Sequence, residues 1–457
     1  MTALTTLAAW LSDLDYRGLS MASRDATRQR IFDTLGATVV GLATEEGQLL
    51  RRLDAHLLEP NRTPAGTDRC RLLVAATRTT EIDDIDIVSC TTAGSVVVPL
   101  ALSITASRPS IDDRDLIIAI VAGYEAMIRL GRAIDGANLI YKGVWPSYVT
   151  AAFASAATTA KLLGLDARCT ANALALALSR TNPLARNALA QPAYRHYALG
   201  CAAVDGCVAA FAASAGLNGA EDCIETFGSA IRAPIDTAEL TRDLSAQPKI
   251  SQVDTKLFPS SRQALASVEA FRQQLPLPQA IEDIESISVY VPSAYRNMVD
   301  QPRLPKQRIE SMLGVQYQMA LAAIGSDSFY DALRAAPQEN TQVESLMHKI
   351  TVLANEQLSA RFPQTWGSQV CVRWKSGEES TTEVLDPKGS ARQPLSWNEI
   401  QEKLECILAA GHICPDRTTD DLMKRCQVIG KDSAKRISAE LLQQLDLLCE
   451  YAALTRV

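Results

Sequence analysis

Histidine is scarce in this chain: 457 residues hold four, at His56, His196, His348 and His412. That leaves little imidazole for acid–base work near neutral pH. Cysteine occurs eleven times, yet the total is odd and no CxxC pair is present. A disulfide framework and a zinc site are therefore both disfavoured, and a reducing, cytoplasmic compartment is expected. Cys201 and Cys207 sit in alanine-rich helical sequence, where a thiol acts as a small apolar group. Aromatic residues make up only 5%, against abundant Ala and Leu, so helices packed closely through small side chains are favoured. The net charge of −7 gives no basic footprint for nucleic acid. No Lys/Arg cluster suits an anionic membrane surface, and no run of about 18 apolar, charge-free residues spans a bilayer. The N-terminal sequence has Asp13 and Asp15 where a secretory or transit peptide needs apolar or basic residues. Hydrophobic content of 47% with 21% charged residues is that of a soluble globular protein. What remains is a protein of small molecules or of protein partners, long enough for two domains.

The densest feature present is acidic. Glu81, Asp83, Asp84 and Asp86 fall within six positions, and the apolar run Val96 to Leu102 follows almost at once. Carboxylates this close repel one another, which raises at least one pKa unless cations or hydrogen bonds compensate. Acids at the mouth of a buried helix can hold a proton-transfer group or a partner cation. The plainer reading is a solvated, acid-rich helix start favoured by the helix dipole.

Apolar spacing at Ile31, Leu35, Val39 and Leu42 predicts a helix over 23–43 with a cap-like Ser23. From Ser110, acids at 112, 113 and 115 precede a broad apolar face and Arg129 and Arg132, so charge runs with the macrodipole of a buried helix. Residues 148–165, 168–180 and 200–216 read as further helices, with breaks at Gly164 and Gly216. Beyond about residue 235 the pattern changes. Strand-like alternation occupies 284–292, 348–358 and 368–387, the last with a KSGE turn, while helices are expected at 307–323 and 396–409. The tail reads as an amphipathic helix returning to the first domain. The expected fold is mainly α: a large all-helical domain, 1–250 plus 413–457, and a smaller α+β lid domain, 251–412.

The order of these parts resembles one family, the MmgE/PrpD superfamily. The resemblance rests on IFDTLGATVVGL (31–42), VVPLALSITA (97–106), DLIIAIVAGYEAMIRLGRA (115–133), AAFASAATTAKLLGLDARCTANALALA (151–177) and DPKGSARQPLS (386–396). It implies a homodimer and a metal-free, cofactor-free site between the domains. It also implies chemistry in which a proton leaves carbon next to a carboxylate or carbonyl, with loss of water or carbon dioxide or with reprotonation. The family places histidines, an acidic motif and a lysine at such sites, for acid–base work and for holding substrate carboxylates.

Carried over residue by residue, the match is uneven. Glu81-Ile82-Asp83-Asp84 stands where the family has acid-x-Asp-Asp. The family histidine before the VLPAL-like helix falls on Thr92 or a neighbour. Its Gly-x-His-Pro segment is Gly143-Val144-Trp145-Pro146, so Trp145 replaces histidine. The family lysine falls on Arg195, with His196 beside it, and Lys256-Leu257-Phe258-Pro259 matches a motif of the second domain. The histidine that follows there falls near Ser261 or Leu265. His56, His348 and His412 read as surface residues.

The scaffold is thus retained while most of its imidazoles are gone. Asp83, Asp84 and His196 are the candidate catalytic residues. Glu81, Thr92, Trp145, Tyr194, Arg195, Lys256 and Ser261 are the candidate substrate-binding residues. For each a plainer role exists: helix capping and arginine pairing for the aspartates, a helix-end cation for Arg195, a surface lysine for Lys256. Arg195 and His196 lie about 100° apart on a helix, so only one of them need face the pocket. The expected activity is that of a divergent lyase acting on a small carboxylate- or carbonyl-bearing substrate in a specialised pathway. An isomerase or cyclase with a reshaped pocket, and a catalytically silent binding protein, stand as alternatives.

Overall fold

The computed structural model describes residues 2–57, 66–181, 192–220, 222–334, 340–413, 418–432 and 436–454. The chain divides into two compact units, residues 1–253 with 413–457, and residues 254–412.

The first unit is built from helices. Helix α1, Met21–Ala43, begins earlier than its sequence suggests, because Ser20 and not Ser23 is the cap: its hydroxyl accepts the Ser23 N–H at 3.0 Å. Helices α2 (Gly66–Arg78), α3 (Ala93–Ser107), α4 (Asp113–Ala133), α5 (Pro146–Leu162), α6 (Ala167–Ser179) and α7 (Pro192–Ser214) follow. Asp112 and Asp115 form a capping box that starts α4. Helix α5 packs against α3, α4, α6 and α7. Small side chains allow that density of neighbours. Ala152, Ala156, Ala157 and Ala160 on α5 are buried with Ala122 and Ala126 on α4 and Ala209 and Ala210 on α7. At Gly123 a Cβ would lie 2.8 Å from both γ-carbons of Val97, so α4 approaches α3 more closely than any other residue permits.

Helix α7 extends eight residues further toward the N-terminus than the 200–216 expected from sequence. By length and composition, Ala193–Ser214 is the one described helix that could cross a membrane, at a mean hydropathy of 1.5, although it carries Arg195 and Asp205. It packs on α2, α5 and α6 within the unit. The closing helix, Ile437–Leu454, packs on α1 and α3.

The second unit is α+β. Its mixed sheet has the order β2-β1-β3-β4. Strand β1 (Ile284–Val291) pairs parallel with β2 (Ile350–Ala354) and antiparallel with β3 (Ser368–Trp374), which pairs antiparallel with β4 (Glu379–Val384). Gly377, at φ +87, turns the β3–β4 hairpin in the KSGE segment. Helices α8 (Arg262–Arg272), α9 (Val315–Ala323) and α10 (Trp397–Ala410) complete the elements used below.

Two expectations are corrected here. Residues 307–323 do not form one helix. A 3-10 turn, Ile309–Met312, ends before Gly314, whose extended backbone caps α9, and the Gln318 amide bonds the Met312 and Gly314 carbonyls left over. Strand β2 stops at Ala354, because the Asn355 side chain accepts from Leu358 N and starts a short helix, Glu356–Ser359. The nine cysteines whose side chains are described are free thiols, while Cys414 and the side chain of Cys449 lie outside the described residues.

Candidate active site

The acidic motif lies between α2 and α3, and it is not a helix start. Its backbone turns, with one isolated bridge joining Asp86 to Thr91, and the first turn of α3 contains no acid. Glu81 and Cys90 adopt left-handed backbone, at φ +52 and +53. Such residues cost roughly 1–3 kcal/mol each and persist only where their surroundings impose them. The acids are not solvated either: Glu81 is 4% exposed, and Asp83, Asp84 and Asp86 are 2% exposed.

The turning backbone sends these acids in three directions. Asp86 faces Arg132, which reaches it at 2.6 Å through Nη2 and 3.3 Å through Nε. Asp84 faces the start of α3 and the body of α4. Its Oδ1 accepts the Gly94 N–H at 2.9 Å and its Oδ2 accepts the Tyr124 hydroxyl at 2.6 Å. Thr92 occupies the cap position of α3 but makes no side-chain cap bond, so Asp84 serves as the cap from ten residues upstream. A Cβ at position 94 would lie 2.8 Å from Asp84 Oδ1 and 2.7 Å from the Tyr124 hydroxyl, which is why glycine stands there.

Burial pushes the Asp84 carboxyl up to about 6, against the pull of Arg30, Tyr124 and the Gly94 amide. A carboxyl raised in the folded state favours folding while protonated, so stability should fall as pH rises from about 4 to about 6. The difference in unfolding free energy between the wild type and Asp84→Asn should change by about 3 kcal/mol between pH 4 and pH 7, with the wild type losing ground. Denaturant titrations at the two pH values measure this, and a constant difference would contradict the burial of Asp84 as an acid.

Glu81 and Asp83 face the third direction. Arg78, the last residue of α2, holds both through one nitrogen, Nη1, at 2.8 Å from Glu81 Oε1 and 3.3 Å from Asp83 Oδ1. Burial works against the Arg78 charge, but Asp83 and Glu81 outweigh it and raise its pKa. Glu81 Oε1 also accepts from Arg195 Nη2 at 3.1 Å. The same Nη2 lies 3.2 Å from His196 Nε2. A guanidinium can only donate, so Nε2 is the acceptor and the ring proton of this neutral imidazole sits on Nδ1. The Arg195 guanidinium also stacks 4.6 Å above the Trp145 ring, a contact worth roughly 0.5–2 kcal/mol.

Trp145 caps α5 ahead of Pro146, and Tyr148 follows one turn later, edge-on to Trp145 with ring centres 6.2 Å apart. Sequence reasoning missed Tyr148 and Arg78, although each lies three residues from a candidate on the same turn. The Tyr148 hydroxyl is buried without a hydrogen-bond partner among the described residues, and so is Arg195 Nε. Burial pushes the phenol up to about 12, although Arg195 and Arg78 pull it down. It therefore stays protonated at neutral pH, with a proton to donate.

The helical unit thus brings together Glu81, Asp83, Trp145, Arg195 and His196. Arg195 and His196 are both buried, at 1% and 0% exposure. Helix α7 packs on α2, α5 and α6, which leaves neither side chain an outward face. Tyr194 is 64% exposed and points away from the cluster. Thr92 is committed to α5: its N–H donates to Ser147 Oγ at 3.0 Å and the two hydroxyls lie 3.1 Å apart. His56, His348 and His412 are exposed.

Lys256 and Ser261 belong to the α+β unit. Lys256 is buried at 1% exposure and is not a surface lysine. Ser261 caps α8 with its groups already used, its N–H donating to Met312 O at 2.7 Å and its hydroxyl to Leu313 O at 3.2 Å. Among the described residues no group of three or more His, Cys, Asp or Glu side chains is arranged to hold a metal ion. A cavity of about 240 Å³ lies elsewhere in the helical unit, lined by α6 and the helix Cys223–Ile231.

Comparison with known proteins bears on this arrangement. Residues 5–241 match the MmgE/PrpD N-terminal domain, and residues 258–427 match the MmgE/PrpD C-terminal domain. The chain is 25% identical to cis-aconitate decarboxylase of Mus musculus over 335 residues, 70% of this chain and 67% of that protein. It is 26% identical to cis-aconitate decarboxylase of Homo sapiens over 306 residues, 65% of this chain and 62% of that protein.

Proposed function

The chain belongs to the MmgE/PrpD family, and on that premise we propose that it is a lyase that moves a proton at carbon beside a carboxylate and expels water or carbon dioxide. The observation that carries this reading is the pair of buried donors, Arg195 Nε and the Tyr148 hydroxyl, that remain open in a cluster also holding a carboxylate and an imidazole. A substrate carboxylate accepting from both donors would place its neighbouring carbon within this group. Of the two acids that face the cluster, Glu81 is shared by Arg78 and Arg195, so Asp83 takes the carbon proton in a dehydration, while Asp84 anchors α3. The charge that develops on the substrate is met by the Arg195 guanidinium and the His196 Nδ1–H. In a dehydration the C–O bond then breaks, and the hydroxide leaves as water with a proton from a neighbouring donor. In a decarboxylation no carbon proton leaves first: the C–C bond to a carboxylate breaks, carbon dioxide departs, and the carbon that keeps the electron pair takes a proton from a neighbouring donor.

The reading uses side chains alone, with a small carboxylic acid as substrate. Trp145 in place of histidine removes a proton carrier and adds apolar surface, which favours a substrate less charged than a citrate-like acid. A homodimer is part of the same reading, and light scattering that returned the 49.4 kDa of one chain would remove that part. A catalytically silent binder is the second reading. It is favoured by Glu81, which already occupies Arg195 Nη2 where a substrate could bind.

The test is a panel of di- and tricarboxylates, cis-aconitate among them, incubated with the purified protein and followed by NMR for lost water or carbon dioxide. At least one acid should be consumed, and Arg195→Gln should raise its KM at least tenfold. Tight binding of an acid with no consumption of any would favour the silent binder.

A further inference from the structure

The sequence points to Lys256 and Ser261 for substrate contacts in the α+β unit, but both protons of Ser261 are already donated, to Met312 O and Leu313 O. Its neighbour differs. Arg262, the first residue of α8, is buried at 2% exposure. Its Nε donates to Asp254 Oδ2 at 2.7 Å, and the other Asp254 oxygen accepts the Ala391 N–H at 2.7 Å. Asp254 is therefore fixed from both sides, and it fixes the guanidinium in turn. The Trp366 ring lies beside the guanidinium, 5.9 Å from its carbon. The two terminal nitrogens, Nη1 and Nη2, are buried and have no hydrogen-bond partner among the described residues.

One carboxylate is enough to neutralise one arginine, so the Asp254 pair accounts for the charge of Arg262. It does not account for the two open nitrogens. A buried donor left unmatched loses its hydration without replacement, and the loss is larger where the group is charged. Leaving both ends of the fork open is therefore expensive for an arginine whose only task is to hold Asp254. A lysine could meet that task through a single contact. A planar fork with parallel donors matches a carboxylate through both oxygens at once.

We infer that Arg262, oriented by Asp254, is a carboxylate-binding residue of the α+β unit. The assignment goes beyond the proposed lyase reading and does not depend on it, because it concerns a different guanidinium in a different unit. It also transfers the binding role expected of Ser261 to the adjacent position.

Isothermal titration of the full-length protein with malonate, and separately with inorganic phosphate, tests this. Malonate should bind the wild type, and Arg262→Lys, which keeps the charge opposite Asp254 but loses the fork, should bind it about tenfold to a hundredfold more weakly. Arg195→Gln separates the two guanidinium sites. Binding lost in Arg195→Gln but unchanged in Arg262→Lys would overturn the assignment and leave the helical-unit reading intact. Malonate binding in Arg195→Gln that disappears on adding Arg262→Lys would uphold it even if no lyase activity exists. Absence of malonate binding in the wild type, or a preference for phosphate over malonate, would also overturn it. Should Arg262→Lys fail to fold, NMR of ¹⁵N-arginine-labelled wild type provides the second measurement. The buried Nη protons of Arg262 must shift as malonate is added, and unmoved resonances at saturation would contradict the proposal.

Discussion

Replacement of Arg78 by methionine is expected to remove about 3–5 kcal/mol of folding stability, the range for breaking a buried ion pair from one side. Arg78 Nη1 is shared between Glu81 and Asp83, whose side chains are 5% and 1% exposed. Methionine fills much of the space but leaves two carboxylates buried with reduced compensation. Arg195 still reaches Glu81, whereas Asp83 loses its arginine. The loss should therefore come mainly from desolvated charge and only slightly from packing. Adding Asp83→Asn to Arg78→Met removes the carboxylate that lost Arg78 and keeps the Glu81–Arg195 pair, so the double variant should regain part of the stability that the single variant loses. Denaturant unfolding of the three proteins decides the matter. A single-variant loss below 1 kcal/mol, or a double variant no better than the single, would mean that the cluster is not held by charge pairing.

The second large effect concerns chemistry. Asp83→Asn should lower turnover of whichever acid the panel identifies by about 10²- to 10⁴-fold, the usual contribution of a positioned proton acceptor. The asparagine oxygen can still accept from Arg78, which also keeps Glu81, so the stability loss should be smaller than that of Arg78→Met. Asp84→Asn is the matched comparison. Its oxygen can keep the Gly94 N–H and its amide can donate to the Tyr124 hydroxyl, so turnover should persist while the stability slope between about pH 4 and 6 disappears. A large loss in Asp84→Asn with none in Asp83→Asn would exchange the roles assigned to the two aspartates.

Much of the fold was legible in the sequence because local signals and burial agree there. The acids ahead of α4 and the strand alternation at 284–291 each state their element within a few residues. Misreadings arose where one residue decides against its surroundings, as with Gly314 dividing an apparently continuous helix. The site was legible in composition more than in direction. Crowded acids announced that something must compensate them, but not that Asp84, Asp86 and the pair Glu81 and Asp83 would each face a different arginine environment. Those directions depend on left-handed backbone at Glu81, a choice that an isolated glutamate does not signal. Arg78, Tyr148 and Arg262 escaped notice for a related reason. Nothing in a sequence separates a buried arginine or tyrosine from the far commoner exposed one.

The central claim is that the Glu81, Asp83, Arg195 and His196 cluster moves a proton at carbon next to a carboxylate. Proton exchange in D₂O tests it without requiring the full reaction. The protein is incubated with the carboxylate panel, and each acid is followed by NMR for deuterium at the carbon beside the carboxyl group. The account predicts deuterium in at least one acid with the wild type and with Asp84→Asn, and none above background with Asp83→Asn. No exchange in any acid with the wild type, or equal exchange with Asp83→Asn, would contradict it.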